Sequence, residues 1–324
     1  MKTLRENEFK AFEQIAGLSQ AALKYSLSTY LRSKYKDVIE TDDYLLAKGN
    51  IPIALVAHMD TVFAKPPVDV FYDTKKNVIW SPQGLGADDR AGIFAILQII
   101  KSGLRPHVIF TTDEEMGCIG AGQLANETCP FADLRYIIEL DRRGTNDCVF
   151  YDCDNVEFEE YVEKFGFVTA WGSFSDISMI CPSWKVAGVN LSVGYKDEHS
   201  VSETLYVGPL LATIDKVKIM LQEKDIPSFE YVELPYSRYL HPLFKGYDYI
   251  NFNETETCYK CHKNFMEEEL YPVKIGKDTT KYVCANCITD NVAWCEKCFE
   301  AYDSSKEVIP ANLCDKCKEQ LTNK

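Results

Sequence analysis

The chain lacks long apolar runs and has few basic residues relative to acidic ones. Its longest apolar run, Ala91–Ile100, is interrupted by one Gly and one Gln and is far shorter than the roughly 20 apolar residues of a membrane-spanning helix. Lys and Arg total 35 against 49 Asp and Glu, for a formal net charge of -14. Because contacts to phosphate need an excess of Lys and Arg, this balance argues against nucleic acid as the main partner. We therefore expect neither a membrane nor a nucleic acid as partner.

The first ten residues, MKTLRENEFK, are followed by no apolar stretch, so no signal peptide is expected. Of the 13 cysteines, those before residue 257 are odd in number and follow no spacing pattern. They are Cys118, Cys129, Cys148, Cys153 and Cys181. Unpatterned cysteines without a secretion signal indicate reduced thiols, so a cytoplasmic location is expected.

Residues 1–225 alternate between short apolar segments and amphipathic ones, which is typical of an α/β fold. The predicted strands are Ile51–Ala57, His107–Thr111, Tyr136–Leu140 and Val186–Val193, and the predicted helices are Phe9–Leu31, Arg90–Lys101, Glu157–Phe165 and Leu210–Lys224. We expect a mixed, mostly parallel sheet with helices on both faces. Residues 226–257, rich in Tyr and Pro, are interpreted as a linker, and residues 258–324 as a small zinc-binding domain.

Five polar motifs lie at the ends of these predicted elements, where α/β folds place their sites. They are His58-Met59-Asp60, Gly86-Ala87-Asp88-Asp89-Arg90-Ala91-Gly92, Asp113-Glu114-Glu115, Asp141 and Glu198-His199. Each motif alone is more often structural, for example a helix cap or a solvated acidic face. Their combination and order instead favour a metal site.

The residue types suit a hydrolytic centre with two zinc ions. Two metals about 3.5–4 Å apart can clamp both oxygens of a hydrolytic transition state. Such a pair needs one bridging carboxylate, and a histidine and a carboxylate on each metal, since nitrogen and oxygen ligands keep zinc Lewis-acidic. A further carboxylate must take the proton from the attacking water. The motifs supply two histidines, three ligand carboxylates and one spare glutamate.

The order of these motifs resembles that of the co-catalytic zinc metallopeptidase clan, which includes peptidase T, carboxypeptidase G and the TET-type aminopeptidases. The resemblance covers residues 50–205 and implies a zinc exopeptidase-like fold. By motif match it implies one zinc on His58, Asp88 and Asp141, and a second zinc on Asp88, Glu115 and His199. Asp88 would bridge the metals, Asp60 would orient His58, and Glu114 would be the general base.

The chain departs from many members of this clan between Asp141 and His199. Many relatives carry a domain-sized lid there, whereas residues 142–198 read as continuing core, so we expect no inserted lid. Arg142 and Arg143 could hold a substrate carboxylate, or neutralise the acidic site or face solvent. Asp176 could anchor a substrate amine, or cap a helix.

The C-terminal region carries a second group of metal-binding residues, four Cys-x-x-Cys pairs. They are Cys258/Cys261, Cys284/Cys287, Cys295/Cys298 and Cys314/Cys317. Eight thiols are enough for two closed tetrahedral zinc sites, which are structural. We expect a tandem of zinc ribbons in which the first two pairs share one zinc and the last two share the other. Its expected role is partner binding or substrate gating.

The sequence thus predicts a metallopeptidase that cleaves an amide or peptide bond with zinc-activated water and a Glu general base. We expect an aminopeptidase or dipeptidase with two catalytic and two structural zinc ions, the catalytic site also accepting Mn²⁺ or Co²⁺. Two alternatives are a deacylase of N-acylated small molecules, such as N-acyl amino acids, and an inactive scaffold that binds a protein partner through its zinc module. Retention of Glu114 and of every predicted ligand argues against the inactive scaffold.

Overall fold

The computed structural model describes residues 2–233 and, beyond them, residues 255–258, 264–266, 270–274, 280–284, 287, 292–294 and 301–303. The chain forms two compact units, Met1–Leu240 and His241–Lys324. No helix within the described residues is both long and apolar enough to cross a membrane.

The first unit alternates helices and strands along most of its length. Its helices are α1 (Glu6–Ala16), α2 (Gln20–Arg32), α3 (Ala87–Lys101), α4 (Ile119–Ala125), α5 (Val156–Glu163), α6 (Asp176–Trp184) and α7 (Val207–Leu221). Its strands are β1 (Asp37–Glu40), β2 (Tyr44–Lys48), β3 (Ile51–His58), β4 (Phe71–Asp73), β5 (Val78–Trp80), β6 (Pro106–Thr111), β7 (Tyr136–Arg142), β8 (Asp147–Val149), β9 (Val168–Thr169), β10 (Gly188–Ser192), β11 (Tyr195–Lys196) and β12 (Thr204–Tyr206).

Eight of these strands form one mixed sheet in the order β1-β2-β6-β3-β7-β10-β8-β9. The four central strands β6, β3, β7 and β10 run parallel to their neighbours within this group. β2 and β8 pair antiparallel with the two outer members of the group. Parallel strands place their carboxyl ends at one edge of the sheet, so the residues that follow β3, β6 and β7 are brought together there.

Two apolar cores cover the two faces of this sheet. Alternate side chains of a strand point to opposite faces, and in β3 Leu55 belongs to one core whereas Ala54 and Val56 belong to the other. The larger core includes α1, α2, α3 and α7, and the smaller includes α4 and α6. The predicted α/β fold, with a mixed, mostly parallel sheet covered on both faces, is confirmed.

The predicted helix over Phe9–Leu31 is two helices in the structure. Gly17 ends α1 and the side chain of Ser19 caps α2 by accepting the N–H of Ala22. Both helices contribute apolar side chains to the same core, so the apolar periodicity continues across the break. Periodicity alone therefore predicts one continuous helix.

The first eight residues of the predicted linker, 226–233, pack on the first unit. Phe229 is buried in its larger core, and the Ala187 N–H donates to the carbonyl of Phe229 at 3.0 Å. Glu230 and Glu233 form single bridges with Val186 and Cys153. The start of the predicted linker is therefore part of the first unit.

The second unit consists of short strands where it is described. They are β13 (Thr255–Thr257), β14 (Asn264–Met266), β15 (Leu270–Lys274), β16 (Thr280–Cys284), β17 (Val292–Trp294) and β18 (Ala301–Asp303). β13 pairs with β14, and the other four form a sheet in the order β16-β15-β18-β17. Cys261, Cys295, Cys298, Cys314 and Cys317 lie outside the described residues.

Candidate metal centre

The bridging role predicted for Asp88 agrees with the way its two carboxylate oxygens face different imidazoles. Oδ1 lies 3.0 Å from Nε2 of His58, and Oδ2 lies 3.3 Å from Nε2 of His199. Asp141 joins the first group, with Oδ1 at 3.6 Å from Nε2 of His58. Glu115 joins the second, with Oε2 at 3.0 Å from Nε2 of His199. The structure therefore assembles two clusters of groups that could hold a metal ion, and both include Asp88.

The backbone around Asp88 is shaped by close packing between α3 and β7. Gly86 precedes α3 with φ +66°, in the left-handed region that favours glycine. At Gly92 a Cβ atom would lie 2.1 Å from the carbonyl oxygen of Leu140, so the helix can approach β7 this closely only with glycine. The glycines of the predicted motif thus set Asp88 beside Asp141, the residue that follows Leu140.

Asp60 connects the first histidine to the two glutamates. Its Oδ1 accepts the Nδ1–H of His58 at 3.1 Å, which directs Nε2 of that ring toward Asp88. The same carboxylate accepts the backbone N–H groups of Glu114 and Glu115, each at 3.0 Å. Asp60 therefore holds the end of β3 and the loop after β6 together.

Glu114 lies close to the imidazole of His58. Its Oε2 is 4.0 Å from Nε2 of His58, and its Oε1 accepts a long contact of 3.5 Å from the thiol of Cys118. Glu114 can also be grouped with His58 and Glu115 as a set of potential metal-binding atoms. Ligand atoms of both glutamates thus lie within 4.8 Å of each other and of the His58 imidazole.

The carboxyl groups of the centre crowd one another, which changes their pKa values. Burial, reinforced by the negative charge of Asp88, raises the pKa of Glu115 to about 7, and burial likewise raises that of Asp141 to about 7. Burial opposes ionisation of Asp88 as well, but hydrogen bonds with the imidazoles of His199 and His58 hold its pKa well below the usual range. A concentration of buried acids of this kind would be relieved by a bound cation.

The donor set fits zinc. It offers imidazole nitrogens and carboxylate oxygens, which are the ligands of catalytic zinc sites. Oε1 of Glu115 is buried and has no hydrogen-bond partner among the described residues, so an acceptor atom is left open in the second cluster. His58 also has the carboxylate partner on its other nitrogen that metal-binding histidines usually have.

Asp141 is anchored by residues that the sequence analysis did not single out. The hydroxyl groups of Tyr195 and Ser175 donate to its Oδ1 and Oδ2, each at 3.1 Å. Its backbone N–H donates to Oδ1 of Asn190 at 2.9 Å. These partners come from β10 and the segments around it, so pairing of β10 with β7 fixes the orientation of Asp141.

The residues predicted to contact the substrate form hydrogen bonds within the chain. Arg142 donates through Nη2 to the carbonyl of Trp171 at 2.9 Å, and Arg143 donates through Nη1 to Oε1 of Glu198 at 2.6 Å. Asp176 is fully buried at the start of α6, where its Oδ2 accepts the hydroxyl of Thr111. Ser175, rather than Asp176, occupies the N-cap position of α6.

Glu203 is a further residue of the centre that sequence reasoning missed. This carboxylate is buried, and its two oxygens accept the N–H groups of Gly86 at 2.6 Å and of Asp88 at 2.9 Å. It therefore ties the loop that carries His199 to the backbone of the predicted bridging residue. No local pattern distinguishes Glu203 from the other acidic residues of this polar loop, and its partners lie far away along the chain.

We expect Glu203→Gln to weaken zinc binding roughly 10–100-fold, the usual effect of losing a partner that orients a ligand. Glutamine offers one acceptor oxygen, so it cannot accept both N–H groups as the carboxylate does. The measurement is zinc affinity by competition with a chromophoric chelator. Glu157→Gln, an exposed glutamate in α5, is the control. Unchanged affinity in Glu203→Gln would show that the loop holds Asp88 without this carboxylate.

The architecture and this centre define a class of protein. The four central parallel strands, with acidic and histidine residues at the carboxyl ends of β3, β6 and β7, form a zinc exopeptidase-like fold. Comparison with solved structures supports this fold. A tripeptidase from Staphylococcus aureus superposes with a TM-score of 0.56 at 16% identity, over 68% of this chain and 100% of that one. An aminopeptidase from the archaeon Desulfurococcus kamchatkensis superposes with a TM-score of 0.54 at 13% identity, over 68% of this chain and 96% of that one.

Sequence comparison is more specific. Residues 44–165 match peptidase family M28. Carboxypeptidase G2 from a Pseudomonas species is 31% identical over 145 residues, which cover 40% of this chain and 33% of that protein. The chain thus matches about a third of the length of this curated relative. The predicted resemblance to the co-catalytic zinc metallopeptidases is confirmed, and these matches support the predicted enzyme class, a zinc metallopeptidase.

Proposed function

We propose that the first unit is a zinc-dependent hydrolase of amide or peptide bonds, of the aminopeptidase or dipeptidase type. The observation that carries this proposal is the position of Asp88 between two clusters, with one carboxylate oxygen facing His58 and the other facing His199. A single structural metal would need only one such cluster. Two clusters on a shared carboxylate are the arrangement that a co-catalytic metal pair requires.

The residues that would hold the metals divide between the two clusters. His58, Asp88 and Asp141 would hold one zinc, and Asp88, Glu115 and His199 the other. When bound, the pair would supply Lewis acidity that polarises the scissile carbonyl and lowers the pKa of water. Asp60 would keep His58 in the orientation needed for binding, through the bond to Nδ1.

Glu114 is the group that we assign to proton transfer. Its carboxylate would take a proton from the attacking water and pass it to the leaving nitrogen. Burial, reinforced by the negative charges of Asp141 and Asp88, raises the pKa of Glu114 to about 7. The thiol of Cys118 lies near Oε1, which leaves Oε2 as the oxygen nearer His58.

A substrate panel tests the proposed function. Zinc-loaded protein is assayed against amino-acid amides, dipeptides and N-acyl amino acids, with a chelator-treated sample as control. Hydrolysis of amino-acid amides or dipeptides that is lost on chelation and restored by zinc is the expected result. Cleavage confined to N-acyl amino acids would identify a deacylase instead. Absence of turnover on all three classes with two zinc ions bound would contradict the proposal.

For the second unit we propose a structural zinc site formed by the first two cysteine pairs. Sulfur atoms of Cys258, Cys284 and Cys287 lie within 4.8 Å of one another. The backbone N–H of Cys284 donates to Sγ of Cys258 at 3.3 Å, and both cysteines are buried. This grouping supports the sequential pairing, with Cys261 as the expected fourth ligand. The expected second site, on the last two pairs, remains a sequence prediction.

Cys284→Ser should lower the zinc content of the full chain by one ion, because three thiolates no longer close a tetrahedral site. The measurement is zinc stoichiometry by plasma mass spectrometry after dialysis. Cys129→Ser, a change at one of the unpatterned cysteines of the first unit, is the matched control and should keep full zinc content. Equal zinc in both variants would count against a metal site at this position.

A further inference from the structure

The thiol of Cys118 contacts the carboxylate that we assign to proton transfer. Its Sγ donates to Oε1 of Glu114 at 3.5 Å. Among the described residues, this thiol is the one side chain that donates a hydrogen bond to the Glu114 carboxylate. Cys118 is only 3% exposed, so little water can reach the thiol and compete for the contact. The orientation of Oε1 therefore depends on a single contact within the described part of the chain.

The backbone between the two residues is folded so that this contact can form. The carbonyl of Glu114 accepts the N–H groups of Gly117 and Cys118, each at 2.8 Å, which closes a tight turn before α4. Cys118 has φ +53°, in the left-handed region that favours glycine. A non-glycine residue held there points to a use for its side chain, since such strain concentrates at active sites. The structure shows two uses, the contact with Glu114 and packing in the smaller core.

The chemistry of a thiol suits a group that holds a base in place. Burial, reinforced by the negative charges of Asp176 and Glu114, raises the pKa of the Cys118 thiol well above its usual range, so the thiol keeps its proton and donates. It is a weak, neutral donor, whereas a charged donor such as lysine would stabilise the ionised carboxylate and oppose proton uptake. The thiol thus holds Oε1 and leaves Oε2, 4.0 Å from Nε2 of His58, to receive a proton.

We propose that Cys118 is a positioning residue for the general base. Its thiol fixes Glu114 in the rotamer that turns Oε2 toward the imidazole of His58, and so toward the water that the metals would activate. This inference rests on the proposed function, because it requires Glu114 to be the base. Cys118 itself touches neither substrate nor metal in this role, so its effect on hydrolysis is expected only through Glu114.

Cys118→Ala should lower kcat for the amide or dipeptide that the wild type cleaves fastest. We expect a loss of roughly 5–50-fold, because a misdirected base forfeits part of the roughly 10²–10⁴-fold contribution of proton transfer. KM and zinc content should stay at the wild-type level, since neither cluster that shares Asp88 includes Cys118. Cys118→Ser should recover most of the lost kcat, because the serine hydroxyl can donate from nearly the same position. Steady-state kinetics and zinc stoichiometry measure these effects.

Cys181→Ala is the matched control for loss of a buried thiol. Cys181 lies in α6, is 2% exposed and packs in the same smaller core. Both alanine variants should lower the melting temperature, as removal of buried atoms does, but only Cys118→Ala should lower kcat. The Glu114→Gln background gives a second readout. Cys118→Ala should cause no further loss there, since a residue that acts only through another has no effect once that other is inactive.

Several outcomes would overturn the proposal while the hydrolase function stands. A wild-type kcat in Cys118→Ala would show that Glu114 is oriented without the thiol. Equal losses of kcat in Cys118→Ala and Cys118→Ser, or in Cys118→Ala and Cys181→Ala, would reduce the role of Cys118 to packing. Zinc loss in Cys118→Ala, or a further loss of kcat in the Glu114→Gln background, would mean that Cys118 acts on another group. Absence of turnover in zinc-loaded wild type, in contrast, would remove this inference together with the proposed function.

Discussion

Glu114→Gln is expected to lower kcat by roughly 10²–10⁴-fold, the usual contribution of a general base. Glutamine has nearly the shape of glutamate but cannot accept a proton from the attacking water. Because Glu114 is assigned to neither of the two clusters that share Asp88, zinc content should stay at the wild-type level. The measurements are steady-state kinetics and zinc stoichiometry on the same preparation.

The neighbouring glutamate provides the comparison. Glu115 lies 3.0 Å from His199 and its carboxyl group belongs to the second cluster, so Glu115→Gln should lose metal along with activity. If the metal loss appears instead in Glu114→Gln, and Glu115→Gln keeps its zinc, the two roles are exchanged. Turnover close to wild type in Glu114→Gln would remove this residue from the mechanism.

Asp88→Asn should have the second large effect. Asparagine has one carboxamide oxygen in place of the two carboxylate oxygens of Asp88. It can therefore bind a metal in the His58 cluster or in the His199 cluster, but not in both. We expect bound zinc in the first unit to fall from two ions to one or none. Because metal stabilisation of a transition state is worth several kcal/mol, kcat/KM should drop by at least roughly 10³-fold.

Zinc stoichiometry and kcat/KM with leucine amide measure this effect, and Asp42→Asn, an exposed carboxylate before β2, is the control. Two bound zinc ions in Asp88→Asn, with activity near wild type, would contradict a bridging role. Loss of metal without loss of activity would contradict metal-dependent hydrolysis at this centre.

The elements that sequence reasoning predicted best are those that carry strong, continuous signals. β3, β6 and β7 are short apolar runs, and the polar residues at or just beyond their carboxyl ends lie at one edge of the sheet. For His58 and Asp141, position along the chain was sufficient to predict proximity. The distance of 3.6 Å between Nε2 of His58 and Oδ1 of Asp141 follows from the parallel pairing of β3 with β7.

Other parts of the centre could not be predicted because their partners are distant along the chain. Glu203 acts on the backbone of Gly86 and Asp88, and no local pattern links a carboxylate to N–H groups so far away. The short strands β4, β5, β11 and β12 form a separate small sheet, and strands this short carry too few residues for a period to appear. The break between α1 and α2, in contrast, could be predicted, since Gly17 is a helix stop signal and Ser19 a helix start signal.

The two clusters differ in their access to water. The side chain of His58 is fully buried and that of Asp141 is 8% exposed, whereas that of His199 is 52% exposed. A metal held partly by His199 would exchange with solvent more readily than one held by His58 and Asp141. The outer position would then be the first to be emptied. Brief treatment with a chelator would thus yield a singly loaded form, and the supply of free zinc around the protein would set how much of it is active.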